Sequence, residues 1–396
     1  MGWIRSGKLS SWFRPSGWSS GRVGVLSRVW GSGSDGDGRN GTRASETIPD
    51  PSWAGIASSP ASLTVAAGAT LIAPGRTVAD VAAVVVRRPP ESRIGRYRLI
   101  ERVGRGRQAD VWRAVCPEGG LEEVALKVLP ASNQGRDPKR RAQLRHEAER
   151  GVRFTNPSLL PTYDYGEVDG AAFMAMPLVI GCTLAEVIVQ RLDARAGRAS
   201  AATHRLATLP EPEYVREIAA LMARVARAAH DAHEGRVVHR DIKPGNILVR
   251  RDHVTGVYLC DFGLARDLDV ATPSQLRDGA GSPLYMAPER LLKRTADEVR
   301  CDVFALGVTL CEALTLAPPI HVPGDMPRDL WAAFLTSTPP QRPSALLPTI
   351  PPPLEDAIVR ATDRNPDRRY PTAAALARDL ELFLDAQRAA WAFTWR

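Results

Sequence analysis

His239-Arg240-Asp241-Ile242-Lys243-Pro244-Gly245-Asn246 decides the reading of this chain. Asp241 and Asn246 stand five residues apart around a Pro-Gly turn, close enough to face one site. A carboxylate there can orient a hydroxyl nucleophile, and an amide oxygen can ligate a cation. Lys243 adds positive charge where a phosphoryl group would move. Five fixed residue types at ~5% frequency each match by chance on the order of 10⁻⁴ of the time along a chain this long. A polar turn after a helix is the bland alternative, and the spacing disfavours it.

Downstream, Asp261-Phe262-Gly263 follows the apolar run Val257-Tyr258-Leu259-Cys260. An Asp at a strand end before Gly suits Mg²⁺, which prefers one or two carboxylates plus phosphate oxygens. Upstream, Gly104-Arg105-Gly106-Arg107-Gln108-Ala109 lies between two strand patterns, and small residues there let backbone N–H groups approach phosphate. A dinucleotide-binding fold would need a helix directly after those glycines. A strand follows instead. Lys127, in Val124-Ala125-Leu126-Lys127, is a charged residue in an apolar strand. Glu147 on the next helix is its expected partner. Glu149 is second, since it points about 200° away around the helix.

Alternation predicts strands over Tyr97–Val103, Val111–Val115, Val124–Leu129 and Ala172–Val179, with a hairpin turn at Gly119-Gly120. A charged helix is expected from Lys139 to Phe154. Beyond Gly181 the period becomes helical: Val215, Ile218, Leu221, Met222, Val225 and Ala229 share a face, and Gly235 stops it. Further helices are expected at Ala305–Ala313, Leu354–Thr362 and Ala373–Leu384. Arg191–Leu209 reads as a loop insertion and Pro339–Pro353 as a linker. The expected class is α+β, with an antiparallel sheet and one helix followed by a mostly helical part.

With these motifs in this order, the sequence resembles the eukaryotic-like (Hanks-type) Ser/Thr protein kinases of bacteria, over roughly Ile94 to Asp385. Ala287-Pro288-Glu289 matches the segment that closes the family's activation loop. Asp302-Val303-Phe304-Ala305-Leu306-Gly307 resembles a helix start of the family, and Arg369 the late arginine that pairs with the glutamate at Glu289. The resemblance implies a two-lobed fold, with lobes at about 93–180 and 181–388 and a short tail at 389–396. It implies transfer of the γ-phosphoryl group of Mg·ATP to Ser or Thr hydroxyls of protein substrates. Asp241 would steer the hydroxyl proton and Lys243 would offset γ-phosphoryl charge. Asn246 and Asp261 would hold Mg²⁺. Lys127, paired with Glu147, would bind the α- and β-phosphates. Gly104, Arg105, Gly106, Ala109 and Val111 would cover the nucleotide. Met176 would be the gatekeeper before a hinge Pro177-Leu178-Val179, where the Val179 N–H meets adenine. Pro177 lacks an N–H, but the family uses only the carbonyl there.

Two departures stand out. Ala109 replaces the third glycine of the phosphate loop, and Gly281-Ser282-Pro283 replaces the usual Gly-Thr. Ser282 keeps a hydroxyl that can bond to Asp241 and Lys243. Arg240 before the catalytic Asp belongs, in this family, to kinases switched by a phosphorylated loop. Ser274 and then Thr272 are the expected phosphorylation sites, with Asp267, Asp269 or Asp278 as alternative partners of Arg240. A nucleotide-binding scaffold would lack Lys127, Asp241 or Asp261, all present. Small-molecule kinases of similar shape generally lack the closing segment at 287–289.

The 396 residues carry 52 Lys+Arg against 44 Asp+Glu, a net +8 too thin to mark a nucleic-acid surface. Five cysteines show no CxxC spacing, which suits free thiols in a reducing compartment, the cytoplasm. The longest clean apolar run, Val81–Val86, is far short of the ~20 residues of a membrane span. The first 50 residues hold ten Gly and ten Ser, and with them Trp3, Trp12, Trp18 and Trp30 among scattered arginines. Residues 1–92 read as disordered because they cannot bury enough apolar surface. Contact of those Trp and Arg side chains with a membrane surface or a partner is the alternative. Deleting residues 1–88 is therefore expected to leave a folded, active kinase. A fall in melting temperature above ~5 °C, about 1 kcal/mol or more, would show that the segment docks.

Overall fold

The computed structural model describes residues 93–105, 109–117, 123–129, 137–199, 203–251, 256–268 and 281–393. The segment 1–92, Gly106, the Gly119-Gly120 turn, Asp269, Thr272, Ser274 and Asp278 lie outside the described residues. Among the described residues, no helix is long and apolar enough to cross a membrane.

The first lobe is an antiparallel sheet of six strands: β1 (Arg93–Ile94), β2 (Tyr97–Arg105), β3 (Asp110–Val115), β4 (Glu123–Leu129), β5 (Asp164–Val168) and β6 (Ala171–Pro177), in the order β1-β2-β3-β4-β6-β5. Period-two alternation splits its two faces. Val124, Leu126, Val128, Phe173 and Ala175 cover one face with Tyr97 and Ala114. Leu129, Ala172 and Met174 cover the other, beneath Leu144 and Ala148 of helix α1 (Pro138–Gly151). Lys127 shares parity with Leu129 and so projects to the helix side. Glu147 is buried beside Leu144, three residues before it on the helix, and faces the sheet.

The second lobe is built on helices α3 (Glu211–Glu234) and α5 (Glu298–Thr315), flanked by α8 (Pro352–Ala361) and α9 (Ala373–Phe393). Short helices α2 (Leu184–Arg195), α4 (Pro288–Leu291), α6 (Trp331–Ser337) and α7 (Pro343–Leu346) fill the rest. Between the lobes lies a small sheet of β7 (Gly181–Thr183), β9 (Ile247–Arg250) and β10 (Val257–Leu259), while β8 (Val237–Val238) pairs with β11 (Arg266–Asp267). Helix α3 ends at Gly235, as its apolar stripe requires.

Several expected boundaries move. Helix α5 begins at Glu298, not Ala305, and Asp302 lies inside it. Asp297 caps it by accepting the N–H groups of Val299 and Arg300. Its first turns carry Glu298, Arg300 and Asp302, whose charges mask an apolar pattern. Residues 191–195 are helix, not loop. Thr183 and Glu186 form a capping box for α2, and Arg191 is buried. Arg191 donates to the Leu209 carbonyl at 2.9 Å and to Glu211 at 2.6 Å, and its guanidinium lies 3.6 Å from the Tyr214 ring centroid. A buried, paired arginine looks in sequence like a surface one. The linker at 339–353 holds helix α7, opened by Pro343 at its first position. Strand β6 stops at Pro177 and helix α1 at Gly151.

Gly307 marks where α5 meets α8. A Cβ there would stand 2.6 Å from Ala361 Cβ and 2.9 Å from Thr362 Cγ2. Alanine favours a helix by ~1 kcal/mol over glycine. Overpacking costs ~1–3 kcal/mol. Gly307→Ala is therefore expected to destabilise, with a melting temperature a few degrees lower; a rise would show that the two helices part freely.

Candidate active site

The turn between β8 and β9 carries the residues that opened the sequence reading. Two backbone donors fix it from below: the N–H groups of His239 and Arg240 each donate to Asp302 of α5 at 2.8 Å. Arg240 sits at φ +70°, a left-handed conformation that costs a branched-off side chain energy unless its surroundings enforce it. Arg290 adds to that enforcement by donating to the Arg240 carbonyl at 3.1 Å.

Asp241 then presents both carboxylate oxygens to donors. Oδ1 accepts the Ser282 N–H at 2.9 Å. Oδ2 accepts Lys243 Nζ at 2.7 Å and Asn246 Nδ2 at 3.1 Å. Lys243 also donates to Ser282 Oγ at 2.9 Å. The sequence expectation for Ser282 thus needs one correction: its hydroxyl meets Lys243, while Asp241 is met by its backbone N–H. Gly281 makes that approach possible. It has φ +132°, and a Cβ would lie 3.0 Å from the Arg240 carbonyl oxygen.

Asn246 and Asp261 are fifteen apart in sequence but adjacent at the open end of the β9–β10 hairpin. Ile247 pairs with Leu259, and the Cys260 N–H donates to the Asn246 carbonyl at 3.0 Å. Asp261 follows at once, with φ +67°. Its Oδ1 lies 3.0 Å from Lys127 Nζ, which also donates to both oxygens of Glu147 at 2.7 and 2.8 Å. Glu149 is instead on the outer side, paired with Arg145. Gly263 keeps this junction open, since a Cβ would stand 3.2 Å from Glu147 Oε2 and 3.3 Å from Asp261 Oδ1.

The electrostatics follow from that crowding. The Lys127 ammonium holds the Asp261 carboxyl below the usual carboxylate range, although the surrounding protein opposes this. Asp261 is walled by protein yet its side chain keeps 47% exposure, toward the cleft. Burial pushes the Glu147 carboxyl up, and Lys127 pulls it back. Burial alone would lower Lys127, but the two carboxylates overcome it and raise its pKa. Lys127 is thus a fixed cation at the neck between the lobes.

The remaining expected residues fall around this neck. Gly104 pairs with Val111, and Val111 pairs in turn with Lys127, so the described arms of the phosphate loop lead to the lysine. Arg105 pairs with Asp110 at the end of the arm. Ala109 is buried against Leu129 and Met174, and Met176 packs on the same cluster. Val179 follows the end of β6, half-buried. At the far end of the activation segment, Glu289 binds Arg369 through 2.7 and 2.9 Å contacts.

Among the described residues Arg240 pairs with Glu298, at 3.2 Å, while its expected partners Thr272, Ser274, Asp269 and Asp278 lie outside the described residues. Asp267, one of the alternatives, pairs with Arg153 at 3.4 Å. Glu298 is not among the residues the sequence motifs mark; its spacing of four from Asp302 becomes a signal only with the Asp297 cap as the start of α5.

A match to the family described as the protein kinase domain spans residues 97–380. The chain belongs to the protein kinase family. Among kinases, it is 36% identical over 290 residues to the serine/threonine-protein kinase PknH of Mycobacterium bovis, covering 72% of this chain and 44% of that one. It is 36% identical over 289 residues to PknD of Mycobacterium tuberculosis, covering 72% and 39%. PknE of M. bovis is 34% identical over 288 residues, covering 72% and 46%. The chain therefore spans less than half the length of those relatives. The crystal structure of the M. tuberculosis PknI kinase domain superposes with a TM-score of 0.52 at 24% identity, covering 74% of this chain and 97% of that one, which shows the shared fold.

Proposed function

We propose that this chain is an ATP-dependent serine/threonine protein kinase. It transfers the γ-phosphoryl group to hydroxyls of protein substrates and of its own activation loop. The observation that carries the reading is the Lys127 ammonium clamped between Glu147 and Asp261, next to an Asp241 carboxylate poised with Lys243. Phosphoryl transfer needs positioning and positive charge more than covalent chemistry from the protein, and this site offers both.

Asp241 is held by Ser282, Lys243 and Asn246, so its carboxylate has one orientation. A substrate hydroxyl would give its proton to Asp241 as its oxygen bonds phosphorus, and the bond to the β-phosphate oxygen breaks to release ADP. Lys243 offsets charge on the moving group. Lys127 grips the α- and β-phosphates. The chemistry of the donor set fits Mg²⁺: Asp261 contributes a carboxylate and Asn246 an amide oxygen, its nitrogen being used on Asp241. Among the described residues there is no cluster of three or more His, Cys, Asp or Glu side chains fit to hold a metal ion. Two protein donors with phosphate and water completing the shell is the arrangement magnesium favours. When bound, Mg²⁺ neutralises charge on the phosphate oxygens. On this reading Met176 and Val179 would meet the adenine, and Gly104, Arg105, Gly106, Ala109 and Val111 would cover the phosphates.

The kinase domain is proposed to run from 93 to 388, with protein substrates and ATP as partners and without nucleic acid. Its place is the cytoplasm, which its five free thiols suit. The test is incubation of the purified chain with labelled ATP, Mg²⁺ and a generic basic protein. Label on serine or threonine is expected. ATP binding with no transfer to any protein, itself included, would make it a scaffold.

A further inference from the structure

Glu298 stands four residues before Asp302 on α5, so both carboxylates leave one face of the helix, a turn apart. Asp302 takes the backbone of residues 239 and 240. Glu298 takes the side chain: Arg240 Nε lies 3.2 Å from its Oε2. That pair is closed to solvent, with the guanidinium 0% and the carboxylate 2% exposed. Arg290 Nε stands 3.7 Å from the same oxygen, while its Nη1 holds the Arg240 carbonyl. The N–H, the C=O and the side chain of Arg240 are thus each held by a charged group. The next residue is Asp241, and the left-handed turn at 240 sets its direction.

We infer that Glu298 is a built-in anion for Arg240. It positions the Arg240-Asp241 turn with the charge that a phosphorylated loop would otherwise supply, so transfer by this chain does not depend on phosphate at Thr272 or Ser274. The inference rests on the kinase reading of the same site. A phosphate on the loop would have to reach a guanidinium whose Nε is already paired in a dry setting, and a dry ion pair is weakly screened. Burial lifts the Glu298 carboxyl above its ordinary value, while the Arg290 and Arg240 guanidiniums draw it back down. Oε1 of Glu298 has no hydrogen-bond partner among the described residues, so Oε2 carries the contact. Glu298 is a positioning residue: it acts through Arg240 and touches no substrate.

The test is a mutant cycle on full-length protein, read as initial rates toward one basic acceptor protein. Thr272→Ala/Ser274→Ala is expected within ~5-fold of wild type. Adding Glu298→Gln to that double variant should lower kcat by a further ~10-fold or more, with the KM for ATP nearly unchanged, and Glu298→Asp should restore most of it. A double variant slower than wild type by more than ~5-fold, or a Gln variant as fast as the Asp variant, would overturn the inference. If Glu298→Gln fails to fold by its melting curve, the double variant with Glu298 intact still decides. Absence of transfer by the wild-type protein would instead overturn the kinase reading itself.

Discussion

Asp241→Asn is expected to lower kcat by about 10²–10⁴-fold, the range for losing a general base, while ATP affinity stays within a few-fold. The substitution keeps shape but replaces an acceptor-only carboxylate by an amide. One of its positions must then present N–H groups to donors, since Ser282 N–H and Lys243 Nζ occupy opposite oxygens. The hydroxyl nucleophile loses its proton acceptor, and Lys243 loses its charged partner, keeping Ser282 Oγ. On the proposed reading the nucleotide is gripped elsewhere, by Lys127. Asp261→Asn should behave differently. It removes a cation ligand and half of the clamp on Lys127, so Mg·ATP binding and turnover should fall together. Isothermal titration with a non-hydrolysable ATP analogue, beside steady-state rates, separates the two. Matching affinities and matching rates for both variants would refute the division of roles.

Arg369→Ala is expected to be the most destabilising of the simple truncations. Arg369 is fully buried, and it satisfies both oxygens of Glu289 as well as the carbonyl of Asp363 at 2.7 Å. Burial opposes the Glu289 charge and Arg369 holds the carboxyl below its ordinary value, so removing Arg369 leaves a buried carboxylate without its counter-charge. Breaking one side of such a pair costs ~3–5 kcal/mol, which for a domain of this size is on the order of 10 °C in melting temperature. Arg369→Lys should recover only part, because a point charge cannot make the bidentate contact. The loss should reach the chemistry too, since Glu289 closes the segment that delivers the Ser282 N–H to Asp241. A shift below ~2 °C by scanning calorimetry would show that the pair contributes little to the fold.

The lobes and the site were legible in the sequence to different depths. Strands β2 to β4 showed because alternation of apolar residues survives in a half-buried sheet, and parity placed Lys127 toward Glu147. The junction of Asn246 with Asp261 was legible only as order, since the hairpin register that joins them is set by pairing across a turn. The start of helix α5 is hidden in the sequence for a physical reason. Its first turn is charged and yet buried, so Glu298 and Asp302 look like surface residues. For the same reason Arg191 read as part of a loop. Charges spent inside the protein carry no periodic signal, and here two of them, Glu298 and Asp302, hold the catalytic turn.

The central claim is that Lys127, Glu147, Asp261, Asp241, Lys243 and Asn246 form one working phosphoryl-transfer centre. Mass spectrometry of wild-type protein and Asp241→Asn, each incubated with Mg·ATP and a basic acceptor protein, tests it most directly. Phosphoserine or phosphothreonine on the wild-type chain and the acceptor, and neither in the Asp241→Asn reaction, is the predicted result. Equal phosphorylation by both proteins, or none by the wild type, would contradict it.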